Sequence, residues 1–346
     1  MVIKLFGYDL GIDLGSSAVV ISMPDKGIVL NEPAYIAYDI DSERIIYAGR
    51  RAYYLEGREP KGMKVIAPIK NGVISNYDYA SMMLKYYINR VIKKSVFKPR
   101  VVASIHTMAT DIEKRTLVSV LISAVARSVC LVEKPLCASF GAGLNPNDSR
   151  GQCIINIGGG VTDMAIITQG VMSQTEMVKI GGNNFDNEII RFIKEKHNMV
   201  IGKRTSEDIK KSIGGAVPRN DELTMTVNGQ SIETGLPLSV EVTSNEIIYC
   251  LKPLIEQIVN AAKGMIERTS AQLMADIKVN GIVLTGGSSM LYKLDEYLSE
   301  QLEIETHIAN EPDTCVALGA MIALNRMGML DNLGYHFMKK DDVRIN

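Results

Sequence analysis

Two short stretches, 143 positions apart, share one layout, and they constrain this chain more than any other feature. Gly11-Ile-Asp13-Leu-Gly15-Ser-Ser17 lies between apolar runs. So does Ile154-Ile-Asn156-Ile-Gly158-Gly-Gly160-Val-Thr162-Asp163. Each reads as a strand ending in a polar residue, then a glycine turn, then a returning strand. The rest of the chain mixes strands and helices throughout, which favours α/β layers. Two matching hairpins in such a chain imply a duplicated α/β lobe with a cleft between the copies.

The length of 346 residues accommodates two or three domains or one large two-lobed body. Lys and Arg number 38 against 39 Asp and Glu, a net charge of −1 that excludes binding to nucleic acid by bulk charge. Cysteines 130, 137, 153, 250 and 315 form no C-x-x-C pair, the pattern of reduced thiols in a cytosolic protein. The four histidines are too dispersed for a metal cluster. Leu117 to Ala126 is the longest apolar-looking run, and a membrane helix needs about 20 residues. The first six residues are too short for a signal peptide or an amphipathic anchor.

Local signals place several helices. Apolar spacing predicts one over 77–92. Thr110-Asp-Ile-Glu113 is a capping box opening a helix to about 127, and Thr243-Ser-Asn-Glu246 opens a long one to about 268. Thr205-Ser-Glu-Asp208 and Thr269-Ser-Ala-Gln272 carry similar signatures. Segments 223–227 and 238–242 read as a strand pair in a small subdomain.

Glycine turns let backbone N–H groups approach and point at a phosphate. Gly15-Ser16-Ser17 and Gly158-Gly159-Gly160 are placed to grip one polyphosphate from two sides, while Gly286-Gly287 follows a third strand. Asp13, at a strand end, suits Mg²⁺ held through water. No G-x-x-x-x-G-K-[ST] occurs, which excludes a P-loop protein.

These three loops resemble the two phosphate loops and the adenosine loop of the actin, heat-shock-chaperone and sugar-kinase superfamily. Gly27-Ile-Val-Leu-Asn-Glu-Pro33, Asn71-Gly-Val-Ile74, Lys98-Pro-Arg-Val-Val102, Ile201-Gly-Lys-Arg-Thr205, Thr234-Gly-Leu-Pro237 and Cys315-Val-Ala-Leu-Gly319 are similar to the MreB family of bacterial actins, in order, across about 7–325. The resemblance implies an actin-like two-lobed fold of duplicated RNase-H-like cores. Subdomain IA would comprise 1–32, 66–145 and 311–346, IB 33–65, IIA 146–181 and 244–310, and IIB 182–243. ATP or ADP with Mg²⁺ would occupy the cleft. Asp13, Gly15, Ser16 and Ser17 fall on the first phosphate loop, and Gly158, Gly159, Gly160 and Thr162 on the second. Glu207 and Lys210 match positions near the base and ribose; Gly286, Gly287 and Met290 fall on the adenosine loop.

Three departures from the family pattern bear on chemistry. Where the family reads Glu-Glu-Pro, this chain has Glu133-Lys134-Pro135; the second Glu helps polarise the attacking water. Asn156 replaces the Asp that opens the second phosphate loop, and Val161 replaces the Thr after its glycines. A charged Lys134 has donors and no acceptor, Asn156 lacks the charge that steadies a hydrated cation, and Val161 lacks a hydroxyl. Positioning the nucleophile is much of what a protein contributes to phosphoryl transfer, and loss of one such group costs about 10²–10⁴ in rate. ATP should therefore bind while hydrolysis is very slow. Lys134 is expected to pair with the γ-phosphate and partly replace the metal's charge.

The resemblance further implies head-to-tail filaments paired in antiparallel fashion, co-assembly with MreB paralogues, and a role in cell shape. In wall-less helical bacteria, which carry several divergent copies, that role would extend to helicity and swimming. It also implies a cytoplasmic protein peripheral to the inner membrane face. Val96 and Phe97 among Lys93, Lys94, Lys98 and Arg100 suit an anionic interface, at about 1 kcal/mol per nearby basic residue. The rival activity is a small-molecule kinase of the same superfamily, which would need a carboxylate facing the acceptor hydroxyl about where Lys134 stands. A chaperone-like ATPase lacks room for a substrate domain, and a non-polymerising relative would fail to pellet with ATP.

Overall fold

The computed structural model describes residues 8–92, 97–145 and 147–343. Its frame is two five-stranded sheets with one topology. In the first, the spatial order is Ser128–Glu133, Arg100–Ile105, Asp9–Leu14, Ala18–Met23 and Gly27–Pro33. In the second it is Thr306–Ile308, Ile282–Thr285, Gln152–Ile157, Thr162–Thr168 and Val171–Val178. Each sheet is an antiparallel meander of three consecutive strands, with two later strands added in parallel to the first of them. The two meanders begin with the hairpins singled out above, so the repeat extends from the motif to the whole lobe.

Both central strands are buried on both faces, as strands covered by helices on each side must be. Leu10, Ile12, Val19, Ile21, Val101, Leu84 and Leu121 build the first core. Ile155, Ile157, Phe185, Ile189, Ile247 and Leu284 build the second. A third cluster, including Val132, Leu136, Phe140, Ile154, Val283 and Val316, joins the lobes. It is organised by two helices: Lys134–Gly141 follows the last parallel strand of the first sheet, and Cys315–Asn325 follows that of the second and packs on the first against Gly11 and Ser22. Their backbones nearly touch: a Cβ on Gly141 would lie 1.8 Å from the Cys315 carbonyl oxygen, and one on Gly319 1.6 Å from that of Cys137. Only glycine fits at either point.

Smaller units stand above each lobe. One is the three-stranded sheet of Ile36–Asp39, Ile45–Ala48 and Met63–Ile66 with the short helix Arg50–Tyr53. The other combines the helices Gly182–His197 and Lys203–Ile213 with the strands Met199–Val200, Thr224–Ser231 and Pro237–Thr243. The expected strand pair therefore forms, longer than its most apolar stretch. All five cysteines are free.

Two of the capping signatures act as read, with Thr110 and Thr243 each closing a reciprocal box with Glu113 and Glu246. Two do not. Ser270, not Thr269, caps the helix Ala271–Asn280. Ahead of 205, the helix starts at Lys203 behind an extended Gly202, because Ser206 is buried and gives its hydroxyl to the Asp186 carbonyl at 2.5 Å. The helix begun at Thr110 ends at Ala124, short of 127. The strand Val171–Val178 was not expected, since an alternating, half-exposed edge carries little apolar signal.

Candidate functional site: a cleft between two phosphate-type loops

The hairpin turns meet at the mouth of the interlobe cleft. A Cβ on Gly159 would come within 2.0 Å of Ser17 Oγ, and one on Gly160 within 2.6 Å of Ser16 Oγ. Both turns are held from outside. Gly15 N–H donates to the Ala18 carbonyl at 2.9 Å and Gly158 N–H to that of Val161 at 3.0 Å. Ser16 Oγ accepts from Gly72 N–H at 2.8 Å, and Ser17 Oγ donates to Asn183 Oδ1 at 3.0 Å. Among the described residues, the N–H groups of Ser16, Ser17, Gly159 and Gly160 have no backbone acceptor. Four free amides on opposed turns form an anion cradle.

The third loop closes against the second. Gly286 takes φ +85°, and its N–H donates to the Pro312 carbonyl at 2.7 Å. Ser288 Oγ donates to the Gly158 carbonyl at 2.9 Å. Gly287 and Met290 lie on the short 3₁₀ turn that follows, with Met290 57% exposed. Thr162 is wholly buried and gives its hydroxyl to the Ile180 carbonyl at 2.8 Å, so it braces the second loop rather than facing the cleft.

Glu207 and Lys210, one turn apart on Lys203–Ile213, do not pair with each other. Lys210 Nζ sits 2.7 Å from Asp186 Oδ1 and 3.0 Å from the Gly182 carbonyl, at the start of the helix behind the second loop. Burial raises the Asp186 pKa to about 6, although Lys210 works against it. Glu207 accepts from the Tyr53 hydroxyl across the cleft and pairs with Lys211 at 2.6 Å. Around this contact Lys203 reaches Glu56 at 3.1 Å, and Arg204 donates to the Tyr54 carbonyl at 3.3 Å while stacking 4.6 Å from the Tyr54 ring. These contacts bridge the two upper units over the cleft.

At the floor, Lys134 Nζ donates to Asp13 Oδ1 at 2.7 Å. Ser104 Oγ donates to the same oxygen at 2.5 Å. Lys134 is 8% exposed. Burial opposes its charge, but the Asp13 carboxylate, by charge and hydrogen bond, outweighs that and holds the ammonium above the ordinary lysine range. One of the three Lys134 N–H donors is thus taken by Asp13. Asn156 lies beside this floor, 3% exposed, accepting from the Thr285 hydroxyl at 3.1 Å. The Val161 side chain faces Gly72 and is likewise buried. Lys134 and Val161 offer no acceptor to a water, and the Asn156 oxygen already takes the Thr285 hydroxyl.

Asp13 was expected to hold Mg²⁺ through water. Lys134 cancels its charge, Asn156 contributes none, and among the described residues no three acidic, His or Cys side chains gather to hold a metal. These residues do not fit a divalent cation held by protein charge.

Several neighbours escaped the sequence reading. Asp163, directly opposite Asn156 in the hairpin, is fully buried and takes both the N–H and hydroxyl of Thr107 at 2.9 and 3.0 Å. Burial raises its pKa, and it also lowers that of His106 nearby. Asp163 stood in the quoted motif and could have been found there. Ser104, Tyr53 and Asp186 reach the site only through tertiary packing. Of the proposed membrane loop, Phe97 and Lys98 are exposed, whereas Lys93, Lys94 and Val96 lie outside the described residues.

Comparison with known proteins agrees with this geometry. The model of the MreB/Mbl protein family matches residues 7–332. The chain is 39% identical over 329 residues to the cell shape-determining protein Mbl of Bacillus cereus, covering 94% of this chain and 98% of that one. It is 35% identical over 331 residues to the cell shape-determining protein MreB of Escherichia coli, covering 94% and 95%. Among solved structures, MreB5 of Spiroplasma citri bound to ADP superposes with a TM-score of 0.89 at 31% identity, covering 94% and 98%. The MamK double helical filament superposes with a TM-score of 0.81 at 17% identity, covering 92% and 99%, a likeness of fold. With an actin-like fold and a family match along nearly its whole length, the chain belongs to the MreB/Mbl family.

Proposed function

We propose that this chain is an ATP-binding bacterial actin that assembles head to tail into filaments, serves cell shape, and hydrolyses ATP very slowly. The carrying observation is the cleft itself. Two opposed turns present four free amides to a polyphosphate, and the residue beside them in the water-positioning place is a lysine bound to Asp13. The Spiroplasma citri relative of the same fold was solved with ADP and with AMPPNP, which supports nucleotide in this cleft. Ser16, Ser17, Gly159 and Gly160 would hold the phosphates, Lys210 and Glu207 the ribose side, and Gly286, Gly287 and Met290 the base. The units above the two lobes correspond to subdomains IB and IIB, and the two large sheets to IA and IIA, on this reading.

Head-to-tail contacts that do not close give an open strand, and the cell shape-determining names of the relatives support a cytoskeletal role. Antiparallel pairing and co-assembly with paralogues are part of the same proposal. So is a cytoplasmic place at the inner membrane face, supported by the exposed Phe97 and Lys98. No described helix is long and apolar enough to cross a membrane. Many weak sites along a filament would add by multivalency. Mg²⁺ accompanies ATP in this family pattern, but the floor gives it little purchase. A kinase would need a carboxylate where Lys134 stands, so that activity is not favoured.

The test is assembly with ATP or ADP, followed by electron microscopy and by flotation on anionic vesicles. Filaments with ATP support the proposal; monomers at every nucleotide and concentration overturn it.

A further inference from the structure

Asp13 lies at the end of the first central strand, under both phosphate-type turns. A hydrated Mg²⁺ at such a place relies on one or two carboxylates and on the phosphates themselves. Here the one carboxylate is already paired through one of its two oxygens. Its Oδ1 takes the Lys134 ammonium at 2.7 Å and the Ser104 hydroxyl at 2.5 Å. Asn156, the second position the family pattern makes acidic, is neutral and engaged by Thr285. The third, Lys134, carries the opposite sign. A divalent cation brought here would meet a fixed ammonium at the same carboxylate, and like charges within a few ångströms oppose each other strongly in a buried site.

We infer that the Lys134 ammonium takes the electrostatic place of the divalent cation, so that this cleft accepts ATP without Mg²⁺. The inference rests on the reading that ATP binds between the two turns. Lys134 is pinned by Asp13 at a fixed point of the floor, and among the described residues its two remaining N–H donors have no acceptor. Its long stem is buried with the helix Lys134–Gly141, so the charge arrives with the fold and needs no ion. The four free amides supply the remaining contacts to the anion. What such an arrangement gives up is the metal's template for an in-line attack, in keeping with slow hydrolysis.

The experiment titrates the full-length protein with ATP by calorimetry, once with excess Mg²⁺ and once with EDTA. Two variants, Lys134→Glu and Asn156→Asp, are treated in the same way. The unaltered protein should bind ATP in EDTA within about threefold of its affinity in Mg²⁺. Lys134→Glu should lose roughly tenfold or more on metal removal, the weight of one weakened charge contact. Asn156→Asp, which keeps the side chain's shape, should acquire part of that dependence and decides the matter if Lys134→Glu does not fold. Binding by the unaltered protein in Mg²⁺ that disappears in EDTA overturns the inference and leaves ATP binding standing. Absence of binding in both buffers overturns the two together.

Discussion

Lys134 makes the sharpest residue-scale statement, because its charge is buried against one partner. Replacing it with Met would leave the Asp13 carboxylate buried without its counter-ion, and breaking such a pair from one side costs about 3–5 kcal/mol. Asp13 keeps 15% side-chain exposure, so the lower end is expected, read as a lowered urea midpoint without nucleotide. An unchanged midpoint would show that the pair contributes nothing. Asp186 gives a pH signature. Burial lifts its pKa to about 6 in the fold against Lys210 and Lys211, with Glu207 adding to the lift. The folded form thus keeps a proton that the unfolded chain sheds near pH 4. Its share of stability, at most about 3 kcal/mol, is present below that point and is lost as pH rises to about 6. Asp186→Asn should flatten the midpoint between pH 4 and 6 relative to the unaltered protein; an identical pH profile would refute this. At this scale the identities of Lys134, Asn156 and Val161 were legible as departures from a pattern. Their partners were not, because Asp13 and Lys134 are 121 positions apart and no local rule joins them.

At the scale of elements, the two helices between the lobes decide how the lobes sit together. Lys134–Gly141 and Cys315–Asn325 cross through Gly141 and Gly319, each against the other's backbone. An Ala methyl at 319 would lie 1.6 Å from the Cys137 carbonyl oxygen, where no side chain can move aside, so the helices must separate. Gly319→Ala should lower the melting temperature by several degrees, the change expected for about 1–3 kcal/mol of overpacking, and should weaken ATP binding by spreading the lobes. Gly328→Ala, where a Cβ would meet nothing, is the control. Equal behaviour of the two would mean the close crossing is not tight. Elements with local signals were readable: the capping boxes at Thr110 and Thr243, and the central strands with their unbroken apolar runs. The start at Lys203 and the strand Val171–Val178 were not, since one depends on Ser206 being drawn to Asp186 and the other on pairing with Thr162–Thr168.

For the whole molecule, the repeat seen in two hairpins proved to be a repeat of entire sheets, and that much followed from spacing alone. The bridge over the cleft did not. Tyr53, Tyr54 and Glu56 come from one upper unit, Lys203, Arg204 and Glu207 from the other, and only the folded chain brings them together. The exposed contacts among these, Lys203–Glu56 and Arg204–Tyr54, are each worth about 0–1 kcal/mol, too little to govern folding but enough to bias opening. Tyr53→Phe combined with Arg204→Ala should therefore speed nucleotide release several-fold, by stopped-flow displacement, with the melting temperature nearly unchanged. Release at the original rate would show that the cleft opens without breaking this bridge.

The most direct test of a filament former with a disabled water-positioning site is phosphate release and sedimentation on one purified sample with ATP. A pellet with negligible phosphate release is expected, and Lys134→Glu with Asn156→Asp should raise release by at least about tenfold, a modest part of what a positioned base contributes. Rapid release from the unaltered protein would contradict the account of Lys134, Asn156 and Val161, while leaving the actin-like fold in place.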